Sequence, residues 1–191
     1  MMDEFLYIDH TFEKLVQFDA RVNNREFDGC TFKNCEFSNG IFNECTFIDC
    51  MFIDCNLSMA KLPQTALKTV TFKDCKLLGI RFDECEDFLF NVDFYDSVLD
   101  YSWFNGKKMQ KANFSKCTLK GVNFSNCDLT GADFGLSNLD GAVFDDTNLK
   151  SADFSTAFNY KIDPEFNPMA KAKFSVDGIS GLLDKYDIRI E

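Results

Sequence analysis

The chain has one histidine, one tryptophan and three prolines among 191 residues. A single histidine excludes a histidine metal cluster and leaves little room for histidine-based acid–base chemistry. No apolar run approaches the roughly 18 residues of a membrane span. Basic residues are few: 20 Lys and Arg stand against 31 Asp and Glu, a formal net charge of −11 and a pI near 4.5. Direct binding to nucleic acid or to an anionic membrane needs a basic surface, so neither is expected. The start, Met1-Met2-Asp3-Glu4, is acidic where a signal peptide is basic, and a cytoplasmic location is expected. No phosphate-binding loop, nucleophile elbow or HExxH motif is present. The chain is therefore not expected to be an enzyme, and no cofactor is implied.

What the sequence has in excess is phenylalanine, 23 residues, and cysteine, nine. The phenylalanines are periodic. From Phe27 to Phe82 every fifth residue is Phe or Leu, and a second run from Phe94 to Phe154 repeats this with Met109 as its one exception. The residue two places before each of these centres is usually small: Cys, Ala, Ser, Thr, Val or Gly, with Arg25, Ile80 and Lys107 as large exceptions. The other three positions are mostly polar or Gly.

A period of five fits neither regular backbone. In an α-helix five residues advance the angle by about 140° net, so no face stays buried. In a straight strand, residues i and i+5 point to opposite sides. The pattern fits a chain that turns a corner every five residues and points each centre inward. Four corners close a square, and successive coils stack at about 4.8 Å with parallel backbone hydrogen bonds. Residues i and i+20 then form columns. Phe94, Phe114, Phe134 and Phe154 make one, and Phe104, Phe124 and Phe144 make the opposite one. Leucines and Met109 fill the faces between. Domain limits follow: an N-terminal cap over 1–21, the repeat body over 22–154, and a C-terminal cap over 155–191. The two runs are out of phase by two residues, which puts a break at 84–92.

Ala112-Asn113-Phe114-Ser115-Lys116 and Ala132-Asp133-Phe134-Gly135-Leu136 resemble the pentapeptide-repeat family. The resemblance implies an all-β solenoid, a right-handed quadrilateral parallel β-helix. In size, acidity and tail the chain is similar to the Qnr quinolone-resistance branch, without that branch's long loops. That likeness implies a symmetric dimer joined through a C-terminal helix. It also implies a protein partner, DNA gyrase or topoisomerase IV, engaged by imitation of duplex DNA. A scaffold for some other protein partner is the alternative.

The tail carries an apolar pattern of its own. Ile179, Leu182, Leu183 and Tyr186 follow i, i+3, i+4, i+7 spacing, which predicts a helix over about 177–186 with Asp177 as N-cap. Residues 187–191 alternate like a short strand. Phe166, Met169 and Phe174 are candidates to cover the open coil end. Ile179, Leu182, Leu183, Tyr186 and Ile188 are the candidate dimer interface.

All nine cysteines fall two residues before a centre or, for Cys85, before Asp87 where the first register ends. They are read as small buried packing residues. Cys-x4-Cys is not a zinc spacing, and a metal or thiol role ranks last. His10 reads as a surface or cap residue. The acidic side chains carry the remaining signal. Residues 83–100 hold seven acids and no Lys or Arg, whereas 104–120 hold five lysines and no acid. Asp93, Asn113, Asp133 and Asp153 fall in one column. With Asp100, Asp128 and Asp140 these aspartates form the candidate partner-binding surface.

Overall fold

In the computed structural model, which describes residues 4–189, the chain winds into a parallel β-solenoid of about eight turns. Short strands pair with the strand one turn later. Leu6–Ile8, Glu26–Asp28, Thr46–Ile48 and Ala66–Lys68 stack in one sheet. Thr11–Glu13, Thr31–Lys33, Met51–Ile53, Val70–Lys73, Val92–Tyr95 and Phe114–Ser115 stack in another. The register is i to i+20, as in Phe27 with Phe47 and Phe32 with Phe52. Single bridges continue the ladder in later turns, for example Trp103 to Asn123 to Val143.

The corners explain the polar positions. The residue two after most centres has positive φ, among them Asn24, Asn34, Asp49, Asp54, Asp74, Asn126 and, with glycine, Gly29 and Gly131. Left-handed backbone costs an ordinary L-residue about 1–2 kcal/mol, least where the side chain is absent or is Asn or Asp. Asn, Asp and Gly make the turn at least cost, while Met59, Gln64, Thr69, Tyr101 and Leu136 hold the same backbone under strain. In the later turns the corner closes as a hydrogen-bonded turn, with Cys127 N–H donating to the Phe124 carbonyl at 3.1 Å.

The centres fill the interior in columns. Phe94, Phe104, Phe114, Phe124, Phe134 and Phe144 are all buried. Phe114 stacks on Phe94 and Phe134 with ring centroids 5.3 and 5.1 Å apart, and meets Phe104 edge-on at 5.9 Å. Both are favoured aromatic geometries. Leu99, Leu119 and Leu139 fill the space between the aromatic columns and are fully buried.

The ladder extends past the expected 22–154 body at both ends. Tyr7 and Phe12 occupy centres of a first turn that pairs with Phe27 and Phe32, so 1–21 is a coil in its described part. Gln17 at the next centre hid this turn, because the Phe/Leu pattern breaks there. At the other end Lys173–Phe174 pairs with Asp153–Phe154. The phase break is a 22-residue turn, with Phe72 opposite Phe94 and Arg81 opposite Trp103. The two extra residues form one bulge, in which Phe90 turns inward while Phe88 and Leu89 stay exposed.

The expected helix over 177–186 is absent. Two single 3-10 turns, Ile179–Leu182 and Asp184–Tyr186, stand in its place, and Gly178 rather than Asp177 precedes the first. The reason is close packing on the last turn. Gly181 accepts a hydrogen bond from Ile162 N–H at 3.0 Å, and a β-carbon on it would lie 2.1 Å from the Tyr160 carbonyl oxygen. Residues 187–189 form no strand; Ile190 and Glu191 lie outside the described residues.

Candidate interaction surface

The cysteines do more than fill space. Cys50 Sγ lies 3.3 Å from the Phe27 carbonyl oxygen, and Cys55 Sγ 3.3 Å from that of Phe32. Cys75 and Cys127 reach Phe52 and Phe104 in the same way. Hydroxyls at the equivalent place do likewise: Thr65 donates to Phe42 and Thr147 to Phe124, each at 2.7 Å, and Ser137 donates to Phe114. Some of these carbonyls already accept a backbone N–H, Phe124 from Cys127 and Phe104 from Lys107, so the side-chain donor adds a second buried bond, a net gain of about 0.5–1.5 kcal/mol. Sequence reasoning saw the size and missed the donor; the mixture of Cys, Ser and Thr was the available signal. All nine thiols are buried and free. Burial pushes Cys50, Cys85, Cys117 and Cys127 up to about 12. Among the described residues no group of three or more His, Cys, Asp or Glu side chains is placed to hold a metal.

Lys107 occupies one of these inward positions and is 1% exposed. Its ammonium donates to the Cys85 carbonyl at 2.6 Å, bonds the Asp87 carboxylate and lies 5.0 Å from the Phe90 ring centre. It thus ties the bulge to the next turn.

The candidate acidic residues divide among three outward columns. Asp93, Asn113, Asp133 and Asp153 are stacked as expected, and Lys173 ends the row. Asp128 sits in a second column, between Lys108 and Asn148. Asp100 and Asp140 belong to a third, with Lys120 between them, and Asp100 accepts from Lys120 N–H at 2.9 Å. Most of these carboxylates also brace the backbone. Asp93 accepts from Asn113 N–H, Asp133 from Gly135 N–H, and Asp153 from Ser155 N–H and its hydroxyl. The Ser155 bonds, followed by that from Lys173, hold the Asp153 carboxyl down at about 2. Burial would raise Asp128, but bonds from Thr130, Gln110 and Asn148 outweigh it and leave the carboxyl below its usual range. In Asp93 and Asp133 the backbone bond occupies one carboxylate oxygen.

The five candidate interface residues do not form one face. Leu182 packs against the core and Leu183 is half-buried, while Ile179, Tyr186 and Ile188 are exposed. The tail is clamped to the last turn. Lys185 reaches Asp163 and Glu165 at 2.7 and 2.8 Å, and Tyr186 OH donates to Glu165 at 3.0 Å. Phe174 stacks on Phe154 at 5.2 Å. The Lys185 bond lowers both the Asp163 and Glu165 carboxyls. Of the other cap candidates, Met169 packs against the core and Phe166 is exposed. His10 is exposed, with its ring 4.6 Å from that of Phe12. No helix among the described residues is long and apolar enough to cross a membrane.

A family model described as a pentapeptide repeat region matches residues 25–88 and 81–154. Two solved structures of QnrB1, a plasmid-mediated fluoroquinolone resistance protein, superpose over most of the chain. One trypsin-treated variant has a TM-score of 0.72 at 15% identity, covering 98% of this chain and 99% of that one. A second trypsin-treated variant has a TM-score of 0.59 at 16% identity, covering 95% and 100%. HetL, from the cyanobacterium Nostoc, aligns at 15% identity over 89% of this chain and 74% of that one, with a TM-score of 0.49. No curated protein sequence matches significantly.

Proposed function

The chain belongs to the pentapeptide-repeat family, and we propose that it is a non-enzymatic cytoplasmic protein-interaction module whose partner is a type II topoisomerase, DNA gyrase or topoisomerase IV. Its right-handed four-sided rod would lie in the DNA-binding saddle and reduce quinolone susceptibility. The observation that carries this reading is the stacked column of Asp93, Asp133 and Asp153 on a rod of net charge −11. Asp133 and Asp153 stand one turn apart, about 4.8 Å, and Asp93 two turns from Asp133 across Asn113, a line of carboxylates that stands in for the phosphates of a duplex. The test is gyrase supercoiling with and without ciprofloxacin as the protein is titrated. The expected result is a change in supercoiling or in drug inhibition at micromolar protein, weakened in Asp93→Asn, Asp133→Asn, Asp153→Asn. No effect on either would sink the proposal.

A second reading, an interaction module for another protein, is favoured by the lysines inside the acidic columns. Lys120 stands between Asp100 and Asp140, Lys108 lies beside Asp128, and Lys173 ends the Asp93 row, where a duplex backbone carries no positive charge. Under this reading the charge-neutral triple variant leaves supercoiling unchanged, as does the parent protein.

A further inference from the structure

The two ends of the rod differ. The C-terminal end is covered by the tail, through Phe174 on Phe154, Ile162 N–H to Gly181 and the Lys185 clamp. At the N-terminal end His10 packs on Tyr7 and Phe12 and Glu4 N–H donates to the Tyr7 hydroxyl, which buries those two centres, but no described residue covers the backbone edge of the first turn. In each turn the residue before a centre directs both its N–H and its C=O to the turn below. Asn56, for example, donates to the Cys35 carbonyl at 2.9 Å and accepts from Phe37 N–H at 2.8 Å. Glu26, Thr31, Glu36 and Ile41 donate in the same way to Phe5, His10, Leu15 and Ala20 of the first turn. The equivalent first-turn residues are Leu6, Thr11, Val16 and Arg21. Their paired N–H and C=O groups point off the end, where no described residue meets them. The same turn exposes large apolar side chains: Phe5, Ile8, Val16 and Phe18 are each at least 60% exposed. An unpaired edge with apolar flanks is a template for another edge.

We infer that the N-terminal end is a self-association surface, occupied by the N-terminal end of a second copy of this chain. The argument for that occupant is geometric. A cover must offer a four-sided ring of backbone donors and acceptors, and the first turn of another copy is such a ring. A two-fold axis across the rod reverses the winding direction, so facing strands run antiparallel. In an antiparallel ladder a residue exchanges both its N–H and its C=O with one opposite residue, which suits Leu6, Thr11, Val16 and Arg21. The covered C-terminal end blocks head-to-tail growth, so the contact closes as a symmetric dimer and does not propagate. A second copy was expected at the tail; the missing helix and the inward turn of Leu182 remove the apolar face that expectation needed.

The test is the mass of the full chain by sedimentation or light scattering as concentration rises to about 100 μM, the weak-association range for a small interface. The parent is expected to approach twice the monomer mass. Val16→Glu, Phe18→Glu should stay monomeric with unchanged circular dichroism, and Ile179→Asp, Ile188→Asp should dimerise like the parent. A parent monomeric throughout overturns the inference, as does a dimer lost in the tail variant and kept in the N-terminal one. If the N-terminal variant does not fold, hydrogen exchange on the parent decides. Amides of Leu6, Thr11, Val16 and Arg21 should slow as concentration rises, and exchange independent of concentration overturns the proposal. None of these readouts involves gyrase, so this outcome is separate from that of the proposed function.

Discussion

The Lys107 ammonium and the Cys85 carbonyl oxygen lie 2.6 Å apart across one turn of the solenoid, in the interior. In most other turns this inward position holds a thiol, a hydroxyl or a small apolar group. Here the longer donor reaches a carbonyl displaced by the two extra residues of the bulge. Lys107→Met keeps most of the volume and leaves that carbonyl without a donor. The expected loss is about 1–3 kcal/mol in urea unfolding, with faster exchange of the Glu86 and Asn91 amides. Unchanged stability would show that the ammonium does not hold the bulge.

The thiol-to-carbonyl bonds predict a split between two small substitutions. Cys50→Ala leaves the Phe27 carbonyl short of a donor and should cost about 1 kcal/mol. Cys50→Ser retains the donor, in the arrangement Thr65 already makes with Phe42, and should remain closer to the parent than the alanine variant. Equal losses in both, read from denaturant midpoints, would mean that volume alone governs the site.

Alkaline pH should weaken the fold through the same thiols. Native Cys50, Cys117 and Cys127 keep their protons up to about 12, while an unfolded thiol ionises near 8.5. The stabilisation is complete below the unfolded value and is lost as pH rises from there toward 12. The urea midpoint should fall between about pH 8 and about pH 10, and the fall should be shallower in Cys50→Ser. A flat profile would contradict the burial of these groups.

Acid acts in the opposite sense at Asp153. Its carboxyl titrates at about 2 in the folded chain and near 3.9 when unfolded. Its contribution is present above the unfolded value and lost as pH falls through the folded one. Asp153→Asn keeps an acceptor for Ser155 and should flatten the acid limb of the stability profile below about pH 4. An unaltered limb would mean that other carboxylates govern it.

Thr69 offers a gain. It is β-branched and held at φ +56° at a corner. Thr69→Gly should raise stability by up to about 1 kcal/mol, because relief of left-handed strain exceeds the added chain entropy. A loss on thermal unfolding would show that the threonine makes a compensating contact.

The interior was legible in the sequence because every centre has the same task. Phe94, Phe114, Phe134 and Phe154 fall twenty apart, and the rings stack in that order. The first turn was hidden by Gln17, a polar centre tolerated at the edge of the stack, where burial is incomplete. The tail misled for another reason. Apolar spacing at Ile179, Leu182, Leu183 and Tyr186 fits a helix, but Gly181 lies against Tyr160 and the segment is pressed onto the last turn. Tertiary contact overrode local pattern there. The acidic surface was legible only as columns. That Asp93, Asp128 and Asp100 lie on different columns follows from counting by twenties, but their bonds to Asn113, Thr130 and Lys120 amides depend on side-chain geometry that periodicity does not encode.

The bulge between Phe82 and Phe94 has an evolutionary and engineering corollary. Two extra residues are absorbed within one corner, and Phe72 still faces Phe94. Each turn takes its alignment from the turn beneath it and not from its distance along the chain, so an error in spacing is corrected where it arises. Length in this architecture is accordingly modular. Whole turns could be gained or lost by duplication in units of twenty, and a peptide grafted at one corner would leave the columns above and below in phase.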